Sequence, residues 1–156
     1  MKLTKELILQ QEKEAVLQHF NLADAHQLGE EVRKAAVGDP KQLIVTIQLG
    51  RRLVYVRAGS QTTFENDYWA ARKRNVVLHH EHSSMFVRLD NNADEEEYYR
   101  RNGLSHHDYA IHGGAFPIFV EQVGMVGVIA ISGFPMEDDH LTCYQGLMNF
   151  KKKFAC

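Results

Sequence analysis

The sequence predicts an α+β domain in which an antiparallel sheet of roughly four to five strands is flanked by helices. Three observations carry that prediction. Residues 43–49 and 53–57 are short β-branched runs separated by Gly50-Arg51-Arg52, the pattern of a hairpin. Residues 116–122 and 125–132 form a second apolar pair that turns near Gly124. The segments around these pairs carry helical rather than alternating periodicity, and hairpins with helices between and outside them make an α+β domain.

Taken in order, residues 3–20 place Leu3, Leu7, Val16, Leu17 and Phe20 at helical spacing, with a weaker stretch at residues 10–14. Residues 24–37 set Ala25, Leu28, Val32, Ala35 and Ala36 near one face of a second helix, stopped by Gly38-Asp39-Pro40. A third helix spans residues 63–82, with Thr62 or Thr63 as N-cap and Glu65 and Asp67 in its first turn. Phe64, Tyr68, Ala71 and Leu78 predict its apolar stripe, while Trp69, Arg72, Lys73, Val76 and His80 make a face mixing an aromatic with cations. Residues 94–102 read as a solvated helix with Glu96/Arg100 and Glu97/Arg101 pairs, ending at Gly103. Residues 136–150 close the chain as a helix bearing Leu141, Tyr144, Leu147 and Met148.

Composition narrows the function classes. A chain of 156 residues suits one domain, here residues 1–156, with one sizeable core. The formal net charge of −2 supplies no basic field for nucleic acid. No apolar run reaches membrane-spanning length, and the first residues carry no signal-peptide apolar region. Two cysteines, Cys143 and Cys156, make no disulfide framework, so a reducing cytoplasm is expected. The sequence has no nucleophile elbow, P-loop or dinucleotide glycine motif.

Chemistry concentrates in one stretch, Ser105-His106-His107-Asp108-Tyr109-Ala110-Ile111-His112-Gly113-Gly114-Ala115-Phe116-Pro117. The paired glycines let a ligand approach the backbone, and successive amides in such a turn can cradle an anion. His112 is then a ligand or proton donor beside an amide-lined pocket; alternatively the segment is a tight lead-in to a strand whose Pro117 sits at its start or on a sheet edge. Trp69, Arg72 and Lys73 either bind an anion over an aromatic platform or form a solvated helix face. His79, His80 and His82 lack the spacing of a zinc-protease helix, and with no paired cysteines no metal site is expected. Glu137, Asp138 and Asp139 read as first-turn acids of a helix.

Asp24-Ala25-x-x-Leu28-Gly29, Trp69-x-x-Arg72-Lys73, Tyr109-Ala110-x-His112-Gly113-Gly114-x-Phe116-Pro117-Ile118, Ile131-Ser132-Gly133 and Glu137-Asp138-x-His140 occur in order over nearly the whole chain. Together they resemble the haem-degrading, PduO/GlcG-like superfamily, and more narrowly its uncharacterised stand-alone branch. Ala115 stands where that family usually shows a third glycine. The resemblance implies a profilin-like fold, homo-oligomers and, in some relatives, haem or a corrinoid as ligand. The expected ligand is thus a tetrapyrrole or another small anion, with haem as the cofactor to test. Its site would comprise Trp69, Arg72, Lys73, His112, Gly113, Gly114 and Phe116: Trp69 against the macrocycle, Arg72 and Lys73 on propionates, and a histidine on iron. The alternative is a non-catalytic homo-oligomeric binding or assembly module. No catalytic residue is assigned.

Overall fold

The computed structural model describes residues 2–154, so Cys156 lies outside the described residues. Helices α1 (Lys5–Glu14) and α2 (Leu22–Lys34) precede the hairpin β1 (Ile44–Leu49) and β2 (Arg52–Ala58). Three helices follow: α3 (Phe64–His80), α4 (Ser84–Asp90) and α5 (Glu95–Asn102). The second hairpin, β3 (Ala115–Val120) and β4 (Gly124–Ser132), leads into α6 (Met136–Phe154).

All four strands join one antiparallel sheet in the order β2-β1-β4-β3. Both expected hairpins are present, and β4 pairs with β1 to join them. Pro117, which has no N–H to donate, sits in β3 on a sheet edge, the position it tolerates.

Helices pack on both faces of the sheet. Val45, Ile47, Phe116, Ile118, Ile129 and Ile131 pack with Leu28 and Val32 of α2 and with Cys143, Leu147 and Phe150 of α6. On the opposite face Ile44, Ala115, Val128 and Ala130 pack with Ala70 and Val77 of α3. Two alanines, Ala115 and Ala130, lie beside Ile44 and Val128 under α3, which meets them through Ala70 and Val77.

Several expectations are corrected. The first helix ends at Glu14. Beyond it Leu17 runs parallel to the β3 edge, donating its N–H to the Phe119 carbonyl at 2.9 Å and accepting from the Glu121 N–H at 2.9 Å. Burying Leu17 against that edge outweighs the helical spacing of the segment. Residues 84–90 form α4, a short helix without a long periodic pattern; Ser83 caps it by accepting the Phe86 N–H. The predicted stripe on α3 faces outward, with Phe64 79% exposed, whereas Ala70, Lys73, Val76 and Val77 are buried. Close approach to the sheet, rather than side-chain hydrophobicity, selects that face. On α5 the pair is Glu97 with Arg100, while Arg101 reaches Asn91 instead of Glu97.

Tyr98, Tyr99, Tyr109 and Phe134, which lie in polar stretches of the sequence, all make contacts within the subunit. Tyr98 is fully buried, Tyr99 donates its hydroxyl to the Tyr109 carbonyl at 2.6 Å, and Phe134 packs on the α2/α6 core. They stabilise the subunit itself. No helix among the described residues is long and apolar enough to cross a membrane.

Candidate ligand-binding cleft

The site grows from α3. Thr63 begins the helix by donating its backbone N–H to Asn66 Oδ1 at 2.9 Å, which points Glu65, Asn66 and Trp69 along one side. Tyr68, Arg72 and Asn75 then tie the His-rich loop to the helix. The Tyr68 hydroxyl donates to the His107 carbonyl (2.8 Å), Arg72 Nε to His106 (2.9 Å) and Asn75 Nδ2 to Asp108 (2.8 Å). This stitching carries His112, forty residues beyond Arg72, back to Trp69. Their rings lie 4.9 Å apart at 53°.

Between these elements opens a cleft of about 340 Å³ lined by Trp69, Lys73, His112, Ser132, Phe134 and Asp139, with Glu65, Asn66, Gly133 and Met136 completing its wall. That volume is at the low end of small-molecule sites. Trp69, Lys73 and His112 therefore converge as the sequence expects. Arg72 does not line the cleft: its guanidinium stacks over Trp69 at 4.5 Å and Tyr68 at 5.1 Å while bonding the loop. Phe116 is fully buried on the other face of the sheet, where it meets His140 and Tyr144.

Lys73 and Asp139 form the polar floor. Lys73 Nζ donates to Asp139 Oδ2 at 3.1 Å and to the Gly113 carbonyl at 3.0 Å, with both side chains almost wholly buried. Asp139 Oδ1 accepts the Phe134 N–H at 3.1 Å, so the first-turn acid of α6 caps its lead-in and neutralises a lysine at once. Burial pushes the Asp139 carboxyl above its ordinary range, and the adjacent Lys73 ammonium and backbone N–H groups pull it back. Removing either partner would strand a buried charge.

The glycine pair acts through its carbonyls. Gly113 presents its oxygen to Lys73, and the Gly114 oxygen accepts from the Ile131 N–H at 2.8 Å and the Cys143 thiol at 3.4 Å. Gly114 has φ 131°, and a Cβ there would meet Lys73 Nζ at 2.5 Å, so glycine is required. Burial pushes the Cys143 thiol well above its ordinary value, as expected of an inert core cysteine.

His112 is half-buried, and burial lowers its pKa against the upward pull of Glu95, which favours the neutral imidazole. Nε2 stands 3.2 Å from Glu95; donating its proton there leaves Nδ1 as the lone-pair nitrogen. Two histidines after α3's midpoint are engaged elsewhere: His80 bonds Tyr98 and His82 bonds Glu12. Among the described residues no cluster of His, Cys, Asp and Glu could hold a metal ion.

Sequence reasoning missed Glu65, Asn66, Ser132, Gly133, Phe134, Met136 and Asp139. The acids after Gly133-Phe134-Pro135 were legible as capping groups, and a lysine among the packing residues of α3 was the signal that one of them served it.

The comparisons agree with this architecture. A family model described as haem-degrading protein HbpS-like matches residues 20–148. A UPF0303 protein of Lactiplantibacillus plantarum is 37% identical over 153 residues, spanning 98% of this chain and 99% of its own length. One from Psychromonas ingrahamii is 32% identical, spanning 93% and 91%. Among solved structures, the Ybr137w protein has a TM-score of 0.89 at 25% identity, covering 100% of this chain and 92% of its own. HbpS has a TM-score of 0.64 at 16% identity, with coverage of 82% and 87%. The PduOC:heme complex gives 0.60 at 14% identity, with coverage of 84% and 94%, and these last two likenesses concern the fold. The chain belongs to the HbpS-like haem-degrading protein family and, with the relatives it matches along nearly its whole length, to the UPF0303 proteins.

Proposed function

We propose that the chain binds a tetrapyrrole, with haem the form to test, at the cleft between Trp69 and His112. The observation that supports it is an imidazole set against an indole, their ring centroids 4.9 Å apart, in the wall of one open cleft. A neutral imidazole is the form that ligates haem iron. Trp69 and Phe134 offer apolar surface to a flat ring, and Glu95 orients His112 from behind. The donor set fits the iron side of haem. It does not supply the propionate pairing expected from Arg72 and Lys73, because both cations are engaged within the protein. Bound haem would bring redox-active iron; the chain's own residues orient and partly desolvate it.

That same engagement of Lys73 favours a second reading, a homo-oligomeric binding or assembly module without haem activity. Hemin titration followed in the Soret region separates the two. Under the first reading wild type gives a saturable shift, and His112→Ala weakens binding at least tenfold. An unshifted Soret band in wild type overturns haem binding. Light scattering then tests assembly: a mass that is a multiple of the 17.9 kDa protomer supports it, and 17.9 kDa overturns it.

A further inference from the structure

A second groove lies on the same side of the sheet as α3. That helix packs on β4 and β3 and reaches only the near part of β1, leaving the β2 end of the face uncovered. The resulting groove, about 260 Å³, is lined by Leu53, Val56, Phe64, Tyr68 and Ala71, with Ile44, Thr46, Asp67 and Arg74. Leu53, Val56 and Phe64 are 49%, 55% and 79% exposed, an apolar concentration that a solvated surface does not need.

At its base is Arg74, whose guanidinium pairs with no carboxylate among the described residues. One terminal nitrogen donates to Thr46 Oγ1 at 2.9 Å, and that hydroxyl is itself committed to the Ala130 carbonyl at 2.6 Å. Nε is buried with no partner, although every guanidinium N–H is a strong donor. Burial alone governs the Arg74 pKa, lowering it, with no acid close enough to oppose the shift. Asp67 lines the groove two helical turns away, roughly 10 Å along α3, and forms no ion pair with Arg74. A part-buried cation lacking its counter-charge is costly, and a carboxylate meeting the groove-facing end of the guanidinium would supply that charge.

We infer that this groove is a binding site for a small amphiphilic carboxylate, with its head group on Arg74 and its apolar tail along Leu53, Val56 and Phe64. The site is separate from the Trp69–His112 cleft: the two share no lining residue and lie on different sides of α3. An unpaired guanidinium with apolar walls selects for a charge at one end of the ligand and none along it.

Calorimetric titration of the full chain with octanoate tests the inference. Wild type should bind one octanoate per chain saturably, and octan-1-ol, which has the tail without the charge, at least tenfold more weakly. Arg74→Met should weaken octanoate at least tenfold while raising the thermal midpoint of the unliganded protein, since it removes an unpaired charge. Phe64→Ala, at an exposed position where folding is safe, should weaken it several-fold. Equal octanoate affinity in Arg74→Met, equal binding of octan-1-ol, or no saturable heat in wild type would each overturn the site. A wild-type mass of two or more protomers that falls to one in Phe64→Glu would also overturn it, by showing the groove to be a seam between copies.

Discussion

His140 is a titratable side chain sealed into the core on the first turns of α6, with Nε2 2.8 Å from Gln11 Oε1 of α1 and Nδ1 buried without a partner. Burial lowers its pKa to about 4. In the unfolded chain the imidazole titrates near 6.5, so between those values the unfolded state holds the extra proton. The stability contributed by keeping His140 neutral is therefore complete above pH 6.5 and is lost as pH falls toward 4. The two values imply a loss on the order of 3 kcal/mol across that window. Urea unfolding at pH 7 and pH 4.5 should show it, and His140→Gln should flatten the pH slope. An equally steep slope in the variant would assign the acid loss to other groups. Lys73 was only partly legible in the sequence. Its identity pointed to the cleft, but its burial and its pairing with Asp139 depend on the distance between α3 and α6, which no local pattern records.

At the scale of elements, the hairpins were readable because turn residues and β-branched runs act locally: Gly50 turns with φ 59° and Gly124 with φ 107°. Helix faces were less so. On α3, packing against Ala115, Val128 and Ala130 set the buried face, so the larger Phe64 and Tyr68 were left outside. The α2–α6 contact shows the same control by closeness. A Cβ on Gly146 would lie 2.5 Å from the Val32 Cα and 3.0 Å from its N, so main chain of α2 blocks it. Alanine in a helix interior normally gains about 1 kcal/mol over glycine, whereas overpacking costs about 1–3 kcal/mol. Because backbone cannot rotate away, the clash should win, and Gly146→Ala should lower the urea midpoint. A midpoint raised by the substitution would mean the helices separate at little cost.

Across the whole molecule, segments far apart in sequence close one another's surfaces. Leu17 seals the β3 edge, α1 packs on α4, and Glu12 accepts from the Ser83 N–H across 71 residues. The sequence showed no linker, but it could not show that residues after Glu14 would leave the helix to cover a strand. Because each layer covers another, the chain should unfold as one cooperative unit rather than in parts. Trp69 is the only tryptophan and lies in the cleft wall between α3 and the His-rich loop, so its fluorescence reports that region. Far-UV circular dichroism averages over all the helices. Urea titrations followed by the two signals should give the same midpoint and slope, and Leu17→Ala should shift both together by about 2–5 kcal/mol, the range for truncating a fully buried leucine. An earlier fluorescence transition, or one left in place by Leu17→Ala, would show that the cleft melts separately from the sheet.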